Sequence, residues 1–324
     1  MKINMKKVPV KESKKTKKRK GIDTVYDDAF RTLMNDCIRL LIPVVNEIFG
    51  KHYTGEEQII LQPNEHFMAQ QDGKSQKRIT DSSFKIIDDK GQEERFLIEV
   101  QSTADNSMIV RIFEYAVQIA LDAGSVVGNK LTVNIPNASI IFLRSKRTTP
   151  DRMTIEMRTP GGKVSFEVPV VKVKSYTLAD MFVKGLYFLL PFYIFNLENK
   201  LKKYESDSLE LEKLKEEYVK FMAGLDKAVA EGKISVYYRR VILDMSKKVL
   251  EGLAMRYEKV QKGVKEILGG RVLEHEGKTI LNQGIELGKR EEKINTARRL
   301  RDAGMSDSQI HQFTDLSMEE ISII

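Results

Sequence analysis

At 324 residues, with 41% hydrophobic and 31% charged side chains, the chain reads as soluble and globular and is long enough to bury a sizeable core in more than one folding unit. The single cysteine, Cys37, excludes an internal disulfide and fits a reducing cytoplasm, and no apolar run follows the N-terminal basic residues as a secretory signal requires. Of the net charge of +8, residues 1 to 20 supply ten Lys or Arg against the single acid Glu12, which leaves the remainder near −1.

That tail, with Lys17, Lys18 and Arg19 near its end, cannot pack a core and is expected to be disordered. It suits polyanion binding by counterion release or, equally, a solubilising role. From Asp23 to Gly50 apolar residues recur at helical spacing (Phe30, Met34, Cys37, Leu41, Val45, Ile48), with Pro43 restarting the helix and Gly50 ending it. Cys37, flanked by Met34, Ile38 and Leu41, reads as a core thiol.

Gln58 to Gln62 is a short predicted strand, followed by a loop through Pro63, His66 and Gly73. His52 and His66 have no Cys or His partner at metal-ligand spacing, which speaks against zinc. Two extended runs then flank the polar turn Asp88-Asp89-Lys90-Gly91, Ile79 to Ile87 before it and Arg95 to Gln101 after it, predicting a hairpin. In the second run Phe96, Ile98 and Val100 share one face, and Leu97, Glu99 and Gln101 the other.

An acid among apolar neighbours in mid-strand needs compensation, because a buried charge either finds a partner or shifts its pKa. Asp81 on the first strand offers a second carboxylate, and two acids at one spot invite a hard cation such as magnesium or manganese. The alternative is a carboxylate paired with Arg78, Arg95 or Lys85 at a sheet edge.

A helix follows over Ser107 to Ala123 with an apolar stripe of Met108, Ile112, Tyr115 and Ile119, stopped by Gly124. Arg111 and Tyr115 share a face four residues apart, suited to holding a phosphate or, alternatively, to a snorkelling arginine beside a core tyrosine. Ala138 to Leu143 reads as a central strand reached by a helical crossover, and Arg152 to Thr159 with Lys163 to Val173 as a pair turning at Pro160-Gly161-Gly162. Thr177 to Asp180 opens a helix into the apolar stretch Gly185 to Phe195, which is too short to span a bilayer, contains Pro191 and is expected to be core.

Beyond Asn196 the composition turns to charge-rich helix, expected as a region over 198 to 270. Residues 271 to 324 end in short helices opened by Ser306-x-x-Gln309 and Ser317-x-x-Glu320 capping boxes. Their helix-turn-helix character is countered as a DNA reader by Asp307, Asp315, Glu319 and Glu320.

The ordered series of Glu47 on a first helix, Asp81 on one strand, Glu99-Val100-Gln101 on the next, then Arg111 and Tyr115, resembles the PD-(D/E)XK nuclease superfamily. YDDAFRTLMND, LLIPVVNEIFG, TDSSFKI, FLIEVQS, KGLYFLLPF and AGMSDSQI are similar to the Rpn group of recombination-promoting nucleases within it, also described as transposases. The resemblance implies an α/β fold over 21 to 197, a restriction-endonuclease-like mixed sheet core flanked by helices, with an all-α C-terminal extension. It implies a magnesium-dependent DNA endonuclease, manganese substituting, with Asp81, Glu99 and the Val100 carbonyl as metal ligands and Glu47 as an auxiliary acid. Gln101 stands where the superfamily name expects lysine and would orient water by hydrogen bonding, while Lys85 is a substitute cation. Arg111, Tyr115, Lys85, Arg78 and the tail would contact DNA. A homodimer is expected where two strands are cut by paired sites. Two rival readings stand beside this one: a catalytically inactive DNA-binding or assembly protein that keeps the fold, and a nuclease of RNA or structured junctions.

Overall fold

The computed structural model describes residues 14–62, 65–69, 75–79, 83–103, 107–269, 293–301 and 304–323. The first helix, α1 (Lys14–Asp36), begins inside the basic run expected to lack structure. Lysine and arginine are good helix formers, so a run of them extends a helix that the residues behind it nucleate. At Cys37 the backbone leaves the helical region (φ −136°, ψ 34°), and after a 3-10 turn over Ile38–Leu41 the chain resumes as α2 (Ile42–Phe49). Pro43 sits in the first turn of α2, where its missing N–H costs nothing, and Gly50 closes the helix in the left-handed region at φ 63°.

The strands follow. β1 (Gln58–Leu61) lies where the QIILQ run predicts it. β2 (Glu65–Ala69) and β3 (Ser75–Ile79) form a separate two-stranded ladder where a loop was expected; EHFMA and SQKRI lack the apolar alternation that marks a strand packed on a core. Ile79 therefore belongs to β3. β4 (Ser83–Ile87) and β5 (Glu93–Gln101) form the predicted hairpin. Asp88 builds its turn, accepting from the backbone N–H of Lys90 at 2.9 Å and of Gln92 at 2.8 Å, and Gly91 supplies φ 74°.

α3 (Met108–Asp122) crosses over from β5, and a small exposed hairpin of β6 (Ser125–Val127) and β7 (Lys130–Thr132) follows it. β8 (Asn137–Phe142) then pairs in parallel with β5, as the crossover reading requires. β9 (Arg152–Thr159) and β10 (Gly162–Lys172) form a hairpin, with β10 parallel to β8. The product is a six-stranded mixed sheet in the order β1-β4-β5-β8-β10-β9.

Helices cover both faces. On one, Leu97, Ala138, Ile140 and Phe142 pack against Met108, Ile112, Tyr115, Ala116 and Ile119 of α3. On the other, the Phe96 ring stacks on Phe84 and meets Phe49 of α2, each pair with centroids 5.4 Å apart. Cys37 is fully buried, and burial, with Asp36 adding, pushes its thiol up to about 12.

α4 (Leu178–Val183) opens with a reciprocal capping box between Thr177 and Asp180. The apolar stretch beyond it is a buried 3-10 segment, Tyr187–Phe192, continued by α5 (Ile194–Leu197). α6 (Leu201–Ser206), α7 (Ser208–Ala230), α8 (Val236–Leu253) and α9 (Glu258–Leu268) complete this region. A boundary was expected after residue 197, but the described residues up to Asp226, together with Val241–Leu268, form one compact unit. The reason is an apolar stripe under the charges: Leu214, Tyr218, Phe221 and Leu225 recur at helical spacing on α7, and all are buried.

Lys227–Arg240 and the described residues from Gly269 onward form a second unit. It contains helical residues 293–301 (α10), then α11 (Asp307–Thr314) and α12 (Met318–Ile323), around a core of Ala297, Ile310, Leu316 and Ile321. Both predicted capping boxes are formed, Ser306 with Gln309 and Ser317 with Glu320. Among the described residues no helix is long and apolar enough to cross a membrane.

Candidate functional site

The β5–β8 register runs without a bulge from Phe96 opposite Asn137 to Gln101 opposite Phe142, so side chains alternate strictly along β5. Leu97, Glu99 and Gln101 therefore share the face that packs on α3, as the spacing predicts. Glu99 is 3% exposed and stands opposite Ile140, itself fully buried. Glu99 is thus an acid set inside an apolar layer, where burial is costly unless a partner compensates the charge.

Asp81 lies outside the described residues. What the described residues fix is the ladder next to it: Ser83 stands opposite Leu97, and each acid lies two positions beyond that pair along its own segment. Ser83 shares the Leu97 face and is 1% exposed, and its Oγ has no hydrogen-bond partner among the described residues. An orphaned buried hydroxyl diagonal to a buried carboxylate marks this end of the hairpin as a polar spot inside an apolar layer. Ser83 was not among the expected site residues; the signal for it in the sequence is its spacing of two from Asp81.

Gln101 is half-buried at the end of β5. Arg111, in the first turns of α3, donates from Nη2 to Gln101 Oε1 at 3.3 Å. Arg111 forms no ion pair among the described residues, although it too is only half-exposed. Tyr115, one turn on, is 7% exposed and belongs to the α3 core. The structure thus brings Glu99, Ser83, Gln101 and Arg111 to one end of the hairpin and one face of the sheet, and sets Tyr115 behind them.

Glu47 has partners of its own. Its Oε1 meets Lys184 Nζ at 2.5 Å and accepts from Tyr176 Oη at 3.2 Å. With Asp151, Arg152, Lys172 and Tyr176 it lines a small polar cavity of about 220 Å³ beside β10. Burial and the neighbouring Glu47 carboxylate push the Tyr176 phenol up to about 12. Lys184 and Tyr176 thus engage the Glu47 carboxylate beside β10.

Lys85 is engaged by Glu93 at 2.6 Å, and Glu93 also meets Arg95 at 2.6 Å. The Lys85 hydrogen bond, with Arg95 adding, holds the Glu93 carboxyl below its usual range against the opposing effect of burial. Arg78 pairs with His66 in the β2–β3 ladder, and Lys17, Lys18 and Arg19 lie within α1. Val100, opposite Ile141, is 3% exposed on the face away from Glu99.

Among the described residues no group of three or more His, Cys, Asp or Glu gathers in a way that could hold a metal ion. Neither a family model nor any curated protein or solved structure matches the chain.

Proposed function

We propose that the chain is a magnesium-dependent endodeoxyribonuclease, a cytoplasmic enzyme with a restriction-endonuclease-like core of the PD-(D/E)XK kind, serving recombination or mobile elements as the resemblance to the Rpn group implies. The observation that carries the reading is the buried carboxylate of Glu99 two positions past the Ser83–Leu97 pair, with Asp81 two positions past it on the other segment. DNA is the substrate, and a homodimer presents two sites to two strands.

The donors near Glu99 suit the ion. A carboxylate, a hydroxyl and the Val100 backbone carbonyl are hard oxygen ligands, which favour magnesium or manganese over zinc, and the set is complete only with Asp81. When bound, magnesium supplies positive charge to the scissile phosphate and lowers the pKa of a water. The chain's own part is to fix Glu99 rigidly on a central strand, to exclude bulk water from one side with the α3 core, and to present Gln101 and Arg111 beside the phosphate.

The test is incubation of purified protein with supercoiled plasmid, with and without magnesium. Nicking or linearisation is expected only with the ion, and only while both acids are present. Cleavage that persists in the Asp81→Ala, Glu99→Ala double variant removes the proposed site. Competition with RNA in the same assay separates a DNA enzyme from an RNA enzyme.

A further inference from the structure

The interaction between Arg111 and Gln101 fixes more than a position. A guanidinium only donates hydrogen bonds, so the Gln101 atom facing it must be the carbonyl oxygen. An amide whose oxygen is held in this way turns its NH2 group the other way. Gln101 lies two residues from Glu99 on the same face of β5, so the amide end left for a ligand carries donors and no acceptor.

The contact with Arg111 accounts for the Gln101 side chain's hydrogen bonding among the described residues, and Arg111 has no carboxylate partner there. A half-buried arginine without a counter-ion is costly unless an anion visits it. The orientation of the amide and an arginine with no carboxylate partner among the described residues both call for an anionic group at the same place.

We infer that Arg111 and Gln101 form a two-residue phosphate clamp, in which Arg111 positions and polarises the Gln101 amide so that its NH2 donates to a phosphate oxygen held beside Glu99. The inference rests on the nuclease reading and deepens it. It adds to the role of Gln101: with one lone pair of its amide oxygen engaged by Arg111, its NH2 group is the end turned to the phosphate, and the positive charge lacking at position 101 is supplied by α3.

The clamp predicts coupling. A fluorescein-labelled DNA duplex is titrated by anisotropy in EDTA, where no cleavage occurs, and plasmid cleavage with magnesium is followed in parallel. Arg111→Ala should weaken duplex binding about tenfold, in line with the loss of one charge-assisted bond. Adding Gln101→Ala to it should cost little more, because the pair acts as a unit. Gln101→Lys in the Arg111→Ala background should restore binding and cleavage, since it returns the charge to the strand. A merely structural role for Arg111 would show no such rescue.

Additive losses, or no recovery by lysine, overturn the clamp while leaving an active wild-type enzyme as a nuclease. Wild-type protein that neither binds the duplex nor cleaves with magnesium overturns both readings. A folded state matched by circular dichroism is required of each variant, and Arg111→Lys serves as the conservative control if Arg111→Ala fails to fold.

Discussion

Gly224 of α7 lies so close to the ring of Phe182 in α4 that a Cβ on Gly224 would fall well inside van der Waals contact with the ring's outer edge. Phe182 also meets Phe221 edge-on, with centroids 6.4 Å apart, so the ring is held from one turn of α7 to the next. Two effects of opposite sign follow from Gly224→Ala. Helix propensity favours alanine by about 1 kcal/mol, and overpacking against a ring costs about 1–3 kcal/mol. The net expectation is a loss of stability, seen as a lower urea midpoint, which Phe182→Leu in the same chain partly reverses. A stabilised Gly224→Ala variant would show that α7 does not hold this contact.

Glu47 and Glu99 should separate in function. Glu99→Gln is expected to abolish magnesium-dependent cleavage, by more than the 10- to 100-fold that loss of an outer partner of a metal ligand brings. Glu47→Gln, whose carboxylate is engaged with Lys184 and Tyr176, should leave cleavage within a few-fold and cost at most about 1 kcal/mol as a solvent-facing pair. Equal losses in the two variants, measured on the same plasmid, would return Glu47 to the active centre.

Glu93 sets part of the acid limb of stability. Its carboxyl titrates lower in the folded chain than in the unfolded one because of Lys85 and Arg95. Its contribution is therefore complete above the unfolded carboxylate value of about 4.3 and disappears as pH falls through the lower folded value. Urea midpoints from pH 5.5 down to pH 3 should fall less steeply in Glu93→Gln than in the wild type. Parallel curves would mean that the three-way contact is not formed in solution.

Cys37 should be inert while the chain is folded. Full burial and a thiol pushed up to about 12 leave almost no thiolate near neutrality, so a disulfide-exchange reagent at pH 8 should react in proportion to local opening. In 8 M urea the same reagent should titrate one thiol at once. Fast reaction without denaturant would place the thiol outside the core.

The hairpin was legible because its signals are local. A polar turn with a glycine in the left-handed region, and strict alternation from Phe96 to Gln101, need no tertiary information. The crossover and central strand were legible from the continuous apolar run Ala138 to Leu143. The β2–β3 ladder was not, because its polar residues are spaced no differently from those of a loop, and its cross-strand pairing is the only thing that makes them strands. The boundary after residue 197 misled for another reason. Charge density dominates the composition of α7, while the four buried residues that tie it to the sheet unit are visible only when the helical period is followed.

At the site, the spacing gave the face of Glu99, but the spacing of Arg111 and Tyr115 could not tell which of the two would turn inward. Four residues apart on one helix, they differ in depth: Tyr115 enters the apolar layer and Arg111 reaches back to Gln101. Glu47 could be placed on its helix from sequence, yet its partners lie 129 and 137 positions away, in a segment whose approach to α2 no local pattern encodes.

The parallel pairing of β5 with β8 has a kinetic consequence. The two hairpins that flank it, β4–β5 and β9–β10, can close through short turns, but the middle ladder must wait for α3 and the β6–β7 excursion to bring its strands side by side. Glu99 is thus expected to lose its water late, after the hairpin that carries it has formed. On that order the assembling chain would keep the acid in water and enclose it only when Ile140 arrives beside it.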